Sequence, residues 1–199
     1  MSKHEKLLFD RIATPYGLFY QVQKKKYTRI FEILKKENIY GFSCLCDVGC
    51  GTGALASAAT EYFDKVYACD VAGMMIDVAK KKTKGQSIEY RWIDKYLPFD
   101  DQSMDVVTIS YVLHGMNQKE REDLLKECIR ISKKYIIIIE FNQKRHWMIS
   151  FVEWLEKGDY FAFIKTFDAQ LSQIVPTYQI VQTEKYQQIY ICDVSSLKV

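Results

Sequence analysis

Two hydrophobic periods alternate through the middle of the chain. Short aliphatic and β-branched runs at 43–48, 66–69, 88–93, 106–110 and 135–141 predict strands, and the stretches between them carry apolar residues at helical spacing. That alternation is the pattern of βαβ units, so a mostly parallel sheet is expected. The run at 135–141, YIIIIEF, is apolar on both faces, as a central parallel strand requires. ALASAATEYF, from Ala54, reads as the helix after the first strand. MMIDVAKKK, with lysines in its last turns, reads as the helix after the second. Asn117 with Glu120 three positions on has the form of a capping box and opens a helix through Leu124, Leu125, Cys128 and Ile129. Residues 94–103 contain Pro98 among aspartates, which predicts a loop or a very short helix.

The two ends differ from this middle. Residues 5–36 predict two helices broken near Pro15 and Gly17. Two aromatic helical faces lie beyond residue 145, one through Trp147, Met148, Phe151, Trp154 and Leu155, the other through Phe161, Ile164, Phe167 and Leu171. Such stripes build either plain core or an apolar acceptor pocket. After Pro176, runs at 178–183 and 188–194 predict an antiparallel hairpin, which brings the strands to seven.

Composition narrows the class. A chain of 199 residues with 48% hydrophobic content can build one sizeable core, and disorder is excluded. The formal charge of +3 is too small for a nucleic-acid binder, and the lysine runs at 24–26, 80–84 and 133–134 sit at helix ends or solvated faces. No run approaches about 18 apolar residues and the start MSKHEKLLFDRI lacks a cleavable leader, so a cytoplasmic protein without membrane contact is expected. Cys44, Cys46, Cys50, Cys69, Cys128 and Cys192 are scattered through predicted elements. With no CxxC pair or nearby histidine they read as reduced, small hydrophobic residues, and no metal site is expected.

The chemistry concentrates at CDVGCGTG, 46–53. Asp47 closes a hydrophobic strand, and Gly49, Gly51 and Gly53 follow at alternate positions, where glycine permits a sharp turn and close backbone approach to a ligand. The loop also satisfies a loose dinucleotide pattern through Gly49, Gly51 and Ala54, with Asp70 at the end of the second strand. In either case Asp70 suits the two hydroxyls of a ribose, as a bidentate acceptor. A short-chain oxidoreductase is disfavoured, because its Tyr-x-x-x-Lys must follow the glycine loop and here Tyr20 and Lys24 precede it.

The chain resembles the class I S-adenosylmethionine-dependent methyltransferases, especially the ubiquinone and menaquinone biosynthesis branch. CDVGCGTG is similar to the family's first motif, CDVAGMMIDVAKKK (69–82) to its second, and LPFDDQSMDVV (97–107) with YVLHGM (111–116) to the segment around its fourth strand. Two departures stand out: Ala72 where the second motif has Ser, and Ser132 to Lys134 where Pro-Gly-Gly precedes the fifth strand. The resemblance implies a Rossmann-like α/β fold, with a seven-stranded, mostly parallel sheet, helices on both faces and the C-terminal hairpin. It also implies one methyltransferase domain over 1–199. Within it, residues 1–36 would form a helical lid, 40–142 the cofactor-binding core, 145–175 a substrate-side helical segment and 176–199 the hairpin.

Residue by residue, the resemblance implies that Gly49, Cys50, Gly51 and Gly53 surround the methionine part of S-adenosylmethionine, with Asp47 holding the loop or the amino group. Asp70 would take the ribose hydroxyls, Val71 and Met75 would flank the adenine, and Ile93 and Asp94 would meet its amino edge. Ser110 would line the site beneath the sulfonium, unless it and Asp94 only cap turns. Tyr16 and Tyr20 would close over the cofactor, or else belong to an amphipathic helix packed on the core. Methyl transfer from a sulfonium is an in-line displacement that needs alignment above all. Where the nucleophile must lose a proton, His114 is the candidate base, with Tyr111 and Asn142 behind it. The expected acceptor is a small molecule; a protein acceptor and a non-catalytic adenosylmethionine-binding role are the alternatives.

Overall fold

The computed structural model describes residues 20–94, 96–142, 160–184 and 187–197. Tyr16, the helix expected through Trp147 and Leu155, and most of the break near Pro15 lie outside the described residues. The elements are helix α1 (Tyr20–Lys36), β1 (Cys44–Val48), α2 (Ala54–Ala59), β2 (Lys65–Asp70), α3 (Gly73–Lys82), β3 (Ile88–Trp92), β4 (Met104–Ser110), a single 3-10 turn (Leu113–Gly115), α4 (Gln118–Ile131), β5 (Ser132–Phe141), α5 (Tyr160–Ile174), β6 (Tyr178–Glu184) and β7 (Gln187–Asp193). The strands follow the order β3-β2-β1-β4-β5-β7-β6 in one mixed seven-stranded sheet. This is the seven-stranded α/β architecture with a C-terminal antiparallel hairpin expected from the sequence. The order turns back at β1, and in doubly wound sheets ligands bind at the carboxyl ends of strands beside such a reversal. By compactness the chain divides into two units, Met1–Pro98 with Met104–Val107, and Phe99–Ser103 with Thr108–Val199.

In the first unit, β1 pairs parallel with β2 and β2 with β3. Every residue of α2, ALASAA, is buried, and its small side chains admit α1 closely. Phe31 of α1 stacks on Tyr62 at 5.1 Å and meets Phe63 edge-on at 6.0 Å. The helix expected from Ala54 to Phe63 stops at Ala59, and tight turns replace it: the amides of Tyr62 and Phe63 both reach back to the Ala59 carbonyl.

In the second unit, β5 pairs antiparallel with β7, and β7 with β6. Four consecutive isoleucines of β5, Ile136 to Ile139, are buried, as the run apolar on both faces demands. Helix α4 passes straight into β5 with no residue between Ile131 and Ser132. That junction accounts for the missing Pro-Gly-Gly, since Ser132 already has extended dihedrals as the helix C-cap. Arg121 of α4 is buried at 1% exposure, donates Nε–H to Gln170 Oε1 of α5 at 2.9 Å, and lies over the Phe163 ring at 5.5 Å. Gln170 in turn donates to the Gln118 carbonyl at 2.8 Å, so the buried charge ties the two helices together.

The capping box at Asn117 forms as its spacing predicts. Asn117 Oδ1 accepts from the Glu120 amide at 3.0 Å, and Glu120 Oε2 accepts from the Asn117 amide at 3.1 Å. Asn117→Ala is expected to lower stability by about 1 kcal/mol in denaturant unfolding, and a change under about 0.3 kcal/mol would show the cap to be redundant. No helix among the described residues is long and apolar enough to cross a membrane. None of the six cysteines forms a disulfide; Cys44 is half-buried and the others are buried.

Candidate active site

Asp47, at 1% exposure, stands one residue before the end of β1, and the backbone turns immediately after it. The amides of Gly49 and Cys50 both donate to the Cys69 carbonyl, at 2.8 and 3.0 Å, which folds the loop back against the end of β2. Gly49, Gly51 and Gly53 take φ values of +73°, +51° and +77°, the left-handed region that side chains resist. Gly51 is half-exposed, and a Cβ built there meets nothing within 4 Å. The backbone therefore offers open room for a ligand at this point. Gly53 is different. It is buried as the N-cap of α2, and a Cβ there would collide with the Tyr90 hydroxyl and stand 3.0 Å from Ala79 Cβ. Its glycine permits close packing of α2 against β3 and α3. Cys50 is buried in the same loop, and its burial, then the nearby Asp70 and Asp47 charges, push its thiol well above the usual range.

Asp70 ends β2 at 8% exposure. Its Oδ2 accepts from the Gly51 amide and its Oδ1 from the Ala72 amide, each at 2.8 Å. One carboxylate thus clamps the glycine loop to the turn that opens α3. Ala72, where a serine cap is usual, leaves α3 without a side-chain cap; its amide is held by Asp70 instead. Val71 is half-buried, with its carbonyl held by Trp92 Nε1 at 3.0 Å. Met75 is buried against Ala72 and Val78, Ile93 is buried with its amide on the Asp70 carbonyl at 3.0 Å, and Asp94 is exposed. The first unit therefore gathers Asp47, Gly49, Gly51, Asp70, Val71 and Ile93 around three adjoining strand ends. Tyr20, at 3% exposure, packs in the core with its hydroxyl toward Ser57 of α2, and burial raises its pKa.

The second unit gathers Tyr111 and His114 just beyond β4, with half-buried Ser110 as the strand's last residue. Tyr111 has φ +53°, rare for a side chain of this size and worth about 1–2 kcal/mol of strain. Its surroundings hold it there: its amide donates to the Ile139 carbonyl at 2.9 Å, its hydroxyl accepts from Gln187 Nε2 at 2.6 Å, and its ring lies 4.8 Å from that of Phe141. His114 meets Phe141 edge-on at 5.0 Å and Phe163 at 6.4 Å. Its Nδ1 lies 2.9 Å from Oε2 of Glu140, a residue with no exposed surface. Asn142 is buried at 3% exposure. A half-buried imidazole beside a buried carboxylate and two half-buried aromatic rings can accept a proton next to a flat apolar surface.

The family model described as a methyltransferase domain matches residues 46–138. Residues 46–138 carry an S-adenosylmethionine-dependent methyltransferase domain. The methyltransferase is similar, at 28% identity over 208 residues, to a demethylmenaquinone methyltransferase of Thermotoga maritima, covering 92% of this chain and 87% of that one. It is also similar to a ubiquinone/menaquinone biosynthesis C-methyltransferase, UbiE, of Campylobacter jejuni, at 26% over 198 residues, covering 89% and 75%. Among solved structures it shares its fold with magnesium protoporphyrin IX methyltransferase from Synechocystis PCC 6803, which holds SAH, at a TM-score of 0.63 and 16% identity over 85% and 82% of the chains. S-adenosylmethionine is the cofactor, and the open backbone at Gly51 beside a two-pronged carboxylate fits it.

Two residues of this region are missing from the sequence-based set. Glu140 is the lone charge after four isoleucines, a signal visible in the sequence but without a partner to interpret it. Gln187 reads as an ordinary strand glutamine, and only the β5–β7 pairing brings it to the Tyr111 hydroxyl.

Proposed function

We propose that the methyltransferase carries the methyl group to a small aromatic acceptor of the quinol class, at a ring carbon, by in-line displacement. The observation that carries this reading is His114, braced by Glu140 and flanked by the rings of Tyr111 and Phe141. A flat, apolar acceptor with one ionisable hydroxyl suits such a surface. An oxidised quinone ring is electron-poor and cannot attack a sulfonium methyl; the reduced quinol can. Loss of its hydroxyl proton to His114 raises electron density at the neighbouring ring carbon, which displaces the thioether. The ring then sheds its own proton and regains aromaticity. Similarity to methyltransferases named for demethylmenaquinone supports the same class of acceptor. Asp70 would take the cofactor's ribose and the Gly49–Gly51 turn its methionine end. Six cysteines with no disulfide among them accord with a cytoplasmic enzyme.

The test is transfer of labelled methyl from S-adenosylmethionine to demethylmenaquinol, with the position of the new methyl read by NMR. Label on a ring carbon, lost about 100-fold in His114→Ala, supports the reading. Label entering protein from a cell extract while the quinol stays unlabelled would overturn it.

A further inference from the structure

Glu140 is fully buried at the end of β5, with its carboxyl set among hydrogen-bond donors. Oε1 accepts from the amides of Leu113 at 2.8 Å and His114 at 3.3 Å. Oε2 accepts from the Phe141 amide at 3.3 Å and lies 2.9 Å from His114 Nδ1. Backbone amides can only donate, and a carboxylate can only accept, so three of these four contacts have a fixed direction. The fourth follows them: Nδ1–H donates to Oε2. A neutral imidazole carries one proton, so a donor at Nδ1 leaves the ring lone pair on Nε2.

We propose that Glu140 is a positioning residue, which holds His114 in its Nδ1–H form and orients Nε2 as the atom that takes the acceptor's proton. The two amides from the 3-10 turn fix the backbone under His114 while the side-chain bond fixes the ring. Edge-on contact with Phe141, at an interplanar angle of 72°, limits rotation of the imidazole. The inference rests on the function proposed above. In the step it describes, the acceptor O–H bond breaks and its proton joins Nε2; the acceptor carbon bonds to the methyl as the methyl–sulfur bond breaks, and that electron pair stays on sulfur as the neutral thioether. The imidazolium so formed faces the Glu140 carboxylate, which offsets its charge in a site with little water.

The experiment is long-range proton–nitrogen NMR of the full chain carrying nitrogen-labelled histidine, at about pH 8.5, above the usual imidazole range. His114→Gln identifies the resonances. The wild-type enzyme is expected to show His114 as the Nδ1–H form. In Glu140→Gln the amide oxygen keeps the Leu113 and His114 amides and the amide N–H points at Nδ1, so the ring is expected to change to the Nε2–H form. That variant should lose about 100-fold in kcat on demethylmenaquinol, with KM for S-adenosylmethionine within about 3-fold. Glu140→Asp, if it keeps the Nδ1–H form, should recover part of the lost kcat. A wild-type His114 protonated on Nε2, or a Glu140→Gln enzyme with the tautomer unchanged, would overturn the positioning role, and the wild-type spectrum decides this even if no variant folds. A wild-type tautomer as expected, together with a fully active His114→Ala, would instead overturn the base reading and the catalytic half of this proposal with it.

Discussion

Asp70→Ala is expected to lower affinity for S-adenosylmethionine by about 1000-fold in titration calorimetry. The carboxylate has two tasks at once. It would accept two ribose hydroxyls, each charge-assisted bond being worth about 2 kcal/mol, and two such bonds amount to roughly three decades of affinity. It also holds the Gly51 and Ala72 amides at 2.8 Å each, so its removal releases the glycine loop from the α3 turn. Asp70→Asn separates the tasks. An amide keeps one acceptor oxygen and replaces the other with a donor that faces a backbone N–H, so the loop should loosen and affinity fall by about 100-fold. Affinity unchanged in a folded Asp70→Ala protein would remove Asp70 from the cofactor site and leave it a loop clamp alone.

Gly53→Ala is expected to lower stability by about 3 kcal/mol. The left-handed φ of +77° contributes about 1–2 kcal/mol with any Cβ, and overlap with the Tyr90 hydroxyl adds about 1–3 kcal/mol more. In a chain of this length the melting temperature should drop by roughly 9 °C. The Tyr90→Phe background is the control, since it removes the oxygen that the added methyl group would strike while leaving the backbone strain in place. That oxygen also lies 3.2 Å from the Thr83 hydroxyl, so Tyr90→Phe alone should itself cost about 1 kcal/mol. Gly53→Ala should then be less damaging in that background by about 1 kcal/mol or more, a coupling read from a double-mutant cycle. Equal losses in both backgrounds would show that Tyr90 swings aside and that backbone strain is the whole effect.

The glycine loop and Asp70 show how far the sequence could be read. The spacing of Gly49, Gly51 and Gly53 identifies a tight turn after a strand, and all three glycines do adopt left-handed dihedrals. It gives all three the same purpose, approach to a ligand, and it does not foresee that Gly53 also admits Tyr90 and Ala79 at close range. Which glycine faces open space and which faces Tyr90 depends on β3 and α3 folding over the loop, from residues about 30 positions away. The same limit applies to Asp70. Its place at a strand end is legible from the hydrophobic run before it, but its bonds to two backbone amides arise only once the loop and the α3 turn are brought together.

By itself, then, the sequence determined the order of strands and helices and the capping box at Asn117, because each rests on neighbours within a few residues and on periodicities local to the chain; the cofactor class came from the resemblance of its motifs to a known family. The tertiary structure alone decided that Glu140 braces His114, that Gln187 holds the Tyr111 hydroxyl, and that Arg121 ties α4 to α5 through Gln170. Each of those contacts joins residues 26 or more positions apart. A buried polar group takes whatever partner the packing of strands and helices delivers to it, and that choice is made by strand register and helix placement, which leave no local pattern in the chain.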